Sequence, residues 1–276
     1  MYCIDFEYDN QRLSDYGCRV CCISKEPGFN TISMGSNITF NTINRSLQNK
    51  FTIMSTQYAE AYTATFEIGK FNCENPNDYI FTQEEISRLM RWLNKRKYAK
   101  FKIIYEHDEY GNVYYMGAFN AQMIVLGGDI IGLELTLQTN APFGYYEPVE
   151  CKMSLGGGAT YSLYDISDES GFIYPSDVKI TCRGSGNLVI TNSRDGERKT
   201  VINNCSSGEV ITLDGENKII TSNRDHKKLY NDFNYNFIRI SNLYEKGIDD
   251  AQNTFSSTLP CDITFSYSPI CKIGIV

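Results

Sequence analysis

The 276-residue chain carries a formal net charge of −7, with 42% hydrophobic and 21% charged residues. That hydrophobic share supplies a packed core and argues against a disordered chain, while the surplus of acid argues against a grip on nucleic acid, which needs clustered Lys and Arg to displace counterions. No run approaches the ~20 apolar residues of a membrane span, so no membrane insertion is expected, and MYCIDFEYDN has acid where a secretory signal has a basic end, which points to folding in a cytosol.

Taken in chain order, the first feature is GCRVCCI, a C-x-x-C-C cluster of Cys18, Cys21 and Cys22. Zinc would ask for a second pair at similar spacing, and the other seven cysteines are scattered singly. The bland reading is a set of small buried hydrophobes in a reducing compartment, so no metal or cofactor is expected. Next, YTATFEI alternates: Tyr62, Ala64, Phe66 and Ile68 face one way, and Thr63, Thr65 and Glu67 the other, the period of a half-buried strand.

The spacing of FTQEEISRLMRWLNKRK predicts a helix. Thr82 is an N-cap with Glu85 three residues on, a capping box, and Phe81 stands before the cap with Ile86 at the staple position. Ile86, Leu89, Met90 and Leu93 make one apolar stripe. Acids in the first turn and Lys95, Arg96 and Lys97 at the end follow the helix dipole. The basic cluster reads as a solvated helix end in preference to a phosphate contact.

Antiparallel strands follow. KFKIIYE and VYYMGAF form a predicted hairpin turning at Asp108, Gly111 and Asn112, with Phe101, Ile103 and Tyr105 on one face. NAQMIVL and IIGLELTLQ form the next, turning at Gly127-Gly128-Asp129, with Leu133, Leu135 and Leu137 facing inward. At APFGYYE, Pro142 has no N–H for the ladder and is expected to end the sheet. Phe143, Tyr145 and Tyr146 are too apolar for a free linker, so this segment reads as a domain boundary whose aromatics dock one unit on another.

SLGGGATYSLYDISDESGF reads as turns and surface loops around at most one short hairpin; no Lys follows the glycines as a phosphate cradle requires. From Tyr174 onward short strands recur without a helical pattern: DVKITCRG, NLVITN, RKTVINN, GEVITLD, NKIITS, NFIRIS, CDITFSYS and CKIGIV. Arg194-Asp195-Gly196-Glu197 and Asp214-Gly215-Glu216-Asn217 are their turns, and Ile263, Phe265 and Tyr267 alternate with polar residues. Many short strands with regular turns indicate a β-sandwich or jelly roll.

Catalytic groupings do not emerge. His107 falls at a predicted hairpin tip and His226 in the polar loop SNRDHKKL, so both are expected to be exposed, without an orienting partner. Acidic groups (HDE, SDES, DGE) sit in turns, and neither a Gly-x-Ser-x-Gly elbow nor a dinucleotide fingerprint is present. The chain is therefore expected not to be an enzyme, with no catalytic, cofactor-binding or metal-ligating residue assigned.

Several motifs together carry a resemblance. FEYDNQRLSDYGCRV has an aromatic strand, a Ser14-Asp15-Tyr16-Gly17 turn and a second strand; the helix ends in Trp92-Leu93, followed by Tyr98 and a hairpin with Tyr114 and Tyr115; LTLQTNAPFGYYE has a strand running into an Ala-Pro-aromatic junction; GEVITLDGENKIITS and the stretch from FNYNFIRIS to CDITFSYSP supply later hairpin and closing strands. In these the chain resembles phage distal tail proteins of the siphovirus tail-component family. The resemblance implies a mainly β chain with one α-helix in its N-terminal domain: a ring-forming, tube-contacting domain over 1–147 and a galectin-like β-sandwich over 148–276. It also implies a homo-hexamer at the virion tail tip, assembled in the bacterial host cytoplasm. One face would continue the tail tube protein, and the other would carry the tail-associated hub protein and often receptor-binding proteins. DNA would pass the lumen without specific binding, in keeping with the acidic charge. The alternative is a carbohydrate-binding protein reading host glycans through the sandwich, with Tyr standing in for the Trp that such sites stack under a sugar.

Overall fold

The alternations read from the sequence become antiparallel strands. The computed structural model describes residues 3–23, 35–44, 50–71, 78–105, 113–196, 198–242 and 252–272. The chain divides into two compact units, one of residues 1–146 joined by 271–276 and the other of residues 147–270.

The first unit contains β1 (Cys3–Tyr8), β2 (Gln11–Arg12), β3 (Cys18–Cys21), β4 (Ile38–Asn44), β5 (Phe51–Tyr58), β6 (Thr63–Lys70), α1 (Gln83–Leu93), β7 (Ala99–Tyr105), β8 (Val113–Leu126), β9 (Asp129–Thr139) and β10 (Gly144–Tyr146). Its main sheet runs β2-β1-β7-β8-β9-β6-β3. Leu126 pairs with Asp129, so Gly127 and Gly128 alone make the β8–β9 turn; both have positive φ, which glycine adopts without a Cβ clash. The turn between β7 and β8, with His107, Asp108, Gly111 and Asn112, lies outside the described residues.

Two expectations change here. VYYMGAF and NAQMIVL are one strand, because nothing interrupts the alternation between them. Gly117 pairs with Ala99 of β7 and with Thr139 of β9, and from there β8 exchanges one neighbour for the other. Pro142 ends β9 but not the sheet, which resumes as β10, with Tyr145 opposite Tyr114.

Glu67 also departs from its expected outward position, being only 3% exposed. Facing glycines explain this. Gly69 and Gly132 are paired across β6 and β9, and the Ile23 side chain lies over both. The chain leaving β3 thus covers this face, and the Ile23 N–H donates to Glu67 Oε2 at 2.5 Å. A Cβ on Gly132 would meet the Ile23 Cδ1 methyl and come within 2.9 Å of the Ile68 carbonyl oxygen. Gly132→Ala should therefore cost about 1–3 kcal/mol of overpacking, read as a lower urea midpoint, whereas Gly127→Ala, with open space around it, strains only the turn.

Helix α1 starts where its capping box specifies. The Glu85 N–H donates to Thr82 Oγ1 at 3.3 Å, and the Thr82 N–H to Glu85 Oε2 at 2.8 Å. Lys70 on β6 reaches Glu85 at 2.9 Å and Asp78 at 2.7 Å, fastening the helix start to the sheet. Phe81, Ile86, Leu89 and Leu93 enter the core beside Phe6, Phe101 and Phe119. Trp92 joins them: it stacks on Tyr16 at 4.4 Å between ring centroids and donates from Nε1 to the Tyr8 carbonyl at 2.9 Å.

The second unit contains β11 (Val149–Leu155), β12 (Thr160–Tyr164), β13 (Gly171–Ile173), β14 (Val178–Cys182), β15 (Gly186–Asn192), β16 (Lys199–Cys205), β17 (Val210–Asp214), β18 (Ile219–Ser222), α2 (Leu229–Asp232), β19 (Ile240–Asn242), β20 (Gln252–Ser257) and β21 (Cys261–Tyr267); β22 (Ile270–Cys271) follows and pairs with β10. One sheet has the order β11-β21-β14-β17-β18 and another β12-β20-β15-β16, and their inward residues share one core. The glycine run changes sheets: β11 pairs with β21 and β12 with β20, and Gly156 folds back so tightly that a Cβ there would lie 2.5 Å from Pro260 Cα. The Ser/Asp stretch after it is less superficial than expected. Asp165 and Ser167 are buried, the Ser167 hydroxyl donates to Asp165 at 2.8 Å, and burial pushes the Asp165 carboxyl above its usual range. Helix α2 was not foreseen, since a single turn is too short to show a helical period.

Candidate interaction surface

Among the described residues strands β4 and β5 pair only with each other, making a two-stranded sheet of their own. Their large apolar side chains Ile38, Phe40, Ile43, Phe51, Ile53 and Met54 are all exposed, Phe51 to 70%. An isolated two-stranded ribbon is marginal in water. One that also displays six large apolar side chains, and two edges unpaired among the described residues, matches a surface that another protein covers. At its base the ribbon is held by Tyr58, whose ring meets Phe143 edge-on at 6.4 Å, and by the Ala59 N–H donating to the Asn37 carbonyl at 2.8 Å. Phe143 in turn meets Tyr145, and Tyr145 meets Tyr114. These contacts of the post-Pro142 aromatics all lie inside the first unit. A second apolar set, Met123, Val125 and Leu126, is exposed beside the Gly127-Gly128 turn.

The residues weighed for chemistry fall as follows. Cys18 is buried, Cys21 half-buried and Cys22 exposed. Burial pushes the Cys18 thiol up to about 12 and the Cys21 thiol to about 11, so neither is a ready thiolate. Among the described residues no three His, Cys, Asp or Glu side chains converge as a metal would require. Nor is any described helix long and apolar enough to cross a membrane. His107 and its neighbouring acids lie outside the described residues. Lys95, at the helix end, pairs with Asp9.

His226 is not the exposed loop residue expected. Its side chain is 7% exposed and held on both sides, with Nδ1 2.8 Å from Glu209 and Nε2 3.1 Å from Asp232. With both ring nitrogens engaged by carboxylates on opposite sides, it cannot serve as a free base, and the two acids cannot join it around one ion. Burial alone would lower its pKa, but the hydrogen bonds and charges of Glu209 and Asp232 outweigh that and raise it. For Glu209 burial is opposed by the Ser206 N–H, the Ser222 hydroxyl and His226, which together lower its pKa. The signs give a window. The His226 contribution is complete below the ordinary histidine pKa of ~6.5 and is lost as pH rises through the raised value, while that of Glu209 is lost only as pH falls through its depressed value. Stability of the second unit should fall by about 1–2 kcal/mol as pH is raised past the His226 transition, and His226→Gln should flatten that limb in melts recorded across pH.

Asp195, read as an ordinary turn acid, is also buried. Arg239 presents its fork to it, with Nε 2.8 Å from Oδ1 and 2.9 Å from Oδ2, and Arg198 approaches at 3.4 Å. The Arg239 guanidinium carbon also lies over the Phe172 ring, 3.5 Å from its centroid, and Nη1 donates to the Tyr174 hydroxyl at 3.1 Å. The sole tryptophan is buried in the first unit, so the second unit has no tryptophan platform for a sugar.

Comparison with known proteins places the chain. Residues 1–141 match the family model described as a phage tail protein N-terminal domain, and residues 143–267 match its companion, a phage tail C-terminal domain. The fold is similar to the crystal structure of the SPP1 Dit protein, described as a paradigm of the hub adsorption apparatus in phages infecting Gram-positive bacteria. The TM-score is 0.63 at 12% sequence identity, over 97% of this chain and 99% of that one. No curated protein matches it.

Proposed function

The chain belongs to this family of two-domain phage tail proteins, and from that premise we propose that it is a distal tail protein, six copies of which close into a ring at the tail tip. The first unit forms the ring and joins the tail tube. The second, read as a galectin-like sandwich, faces the hub and any receptor-binding protein. The protein works by shape and contact, without a catalytic centre, and is built into the particle in the host cytoplasm.

The observation that carries this reading is the exposed β4–β5 ribbon. A head-to-tail contact places a patch of one copy on a different patch of the next, and repetition closes a ring when the rotation closes. A ribbon of exposed Phe and Ile side chains suits one half of such a contact, since apolar and aromatic anchors dominate interface energetics. The likeness in fold to SPP1 Dit over nearly the whole of both chains supports the same reading. Negative-stain electron microscopy of the concentrated full-length protein, and of particles that contain it, tests the reading. Six-fold rings at the tail tip are expected; a monomer at every concentration, absent from the tail, would overturn it.

A further inference from the structure

Helix α1 turns its charged side toward a hollow of about 410 Å³ lined by Gln11, Tyr16, Arg88, Arg91, Trp92 and Lys95. Its wall is ordered. The Tyr16 hydroxyl donates to Gln11 Oε1 at 2.5 Å, the Tyr16 ring stacks on Trp92, and the Arg88 guanidinium lies over Tyr16 at 4.9 Å. Among the described residues no carboxylate lines it. Two acids of the adjoining segment are engaged elsewhere: Asp9 pairs with Lys95, and Asp15 accepts the Arg12 N–H, while Glu84, one turn before Arg88, forms no ion pair with it among the described residues. Arg91 donates to the Ser87 carbonyl at 3.3 Å, a neutral partner. Arg88 and Arg91 thus stand three residues apart on one helix face, with no ion pair among the described residues, in a chain of net charge −7. Like charges at this spacing repel. That is an unusual use of a surface on which acid is plentiful.

We propose that this hollow docks a short carboxylate-rich segment of a partner protein. The guanidinium is a planar fork that pairs with carboxylate through two parallel hydrogen bonds, and an arginine stacked on an aromatic ring is already oriented to do so. Incoming carboxylates relieve the Arg88–Arg91 repulsion. The small footprint favours a short segment over a nucleic acid. A long polyanion would extend beyond the two unpaired arginines onto a surface whose overall charge repels it.

Trp92 is the only tryptophan in the chain and lines the hollow, so its emission reports binding directly. The full-length protein would be titrated with a terminally capped oligoglutamate peptide, and separately with oligoglutamine of the same length, inorganic phosphate and oligothymidylate. Saturable change with oligoglutamate alone is expected, weakening as salt is added. Arg88→Gln/Arg91→Gln, which removes both charges from the exposed helix face, should lose about tenfold or more in affinity with an unchanged melting temperature. Lys152→Ala/Lys179→Ala, removing two exposed cations of the second unit, should bind as the unaltered protein does. An equal response to oligoglutamine, undiminished affinity in the double Gln variant, saturation by phosphate at the same concentration, or tighter binding of oligothymidylate would each overturn the proposal. None of these outcomes depends on whether the protein forms rings.

Discussion

Replacing Arg239 by Ala should destabilise the second unit by about 3–5 kcal/mol, the cost of leaving a buried charge without its partner. The Asp195 side chain is 4% exposed, and its carboxylate is satisfied mainly by the Arg239 fork. Arg198 remains at 3.4 Å, too long to replace two charge-assisted bonds, and its Nη1 is committed to the Phe237 carbonyl at 2.7 Å. The variant also loses the cover over Phe172. For a unit of this size the melting transition should drop by about 10 °C or more. Arg239→Lys keeps the charge but not the fork or the guanidinium over Phe172, and should recover only part of the loss. Asp195→Asn combined with Arg239→Met removes both charges and should be far milder than Arg239→Ala alone. A loss below about 1 kcal/mol for the Ala variant would mean that the pair behaves as a solvated surface bridge.

The second large effect concerns assembly. Phe40→Ser, Phe51→Ser and Ile53→Ser together should abolish rings while leaving the monomer folded. All three side chains are exposed, so the folded monomer has little to lose, within about 0.5 kcal/mol. Burial of such side chains at a contact is worth up to about 1.5–3 kcal/mol each. Even half of that, summed over three, weakens each contact by about 2–4 kcal/mol, on the order of a hundredfold. Sedimentation and circular dichroism on the same sample separate the outcomes. Rings that persist would move the interface elsewhere, for instance to the Met123, Val125 and Leu126 tip.

What could be read in the amino-acid order was local chemistry. The Thr82–Glu85 box sets the start of α1, the two glycines turn β8 into β9, and the alternation of Leu133, Leu135 and Leu137 sets their face, because each depends on neighbours a few residues away. The ribbon of β4 and β5 passed unnoticed: its strand residues alternate without a buried face, which is the signal that strand reading relies on. His226 and Asp195 were misjudged for another reason. The partners that bury them, Glu209 and Arg239, stand 17 and 44 residues away, and no local pattern announces them. Glu67 was misplaced because a glycine pair invited Ile23 across a face that alternation assigns to solvent.

The uneven cysteines have a practical consequence. Among the described cysteines only Cys22 is exposed, while its neighbour Cys21 holds its proton to about 11. With Cys73, which lies outside the described residues, replaced by Ser, a maleimide offered near neutrality should therefore attach a dye or spin label first at Cys22. If copies gather around an axis, one label per chain becomes a ruler, and the set of separations between labels would give the number of copies and the diameter on which they sit.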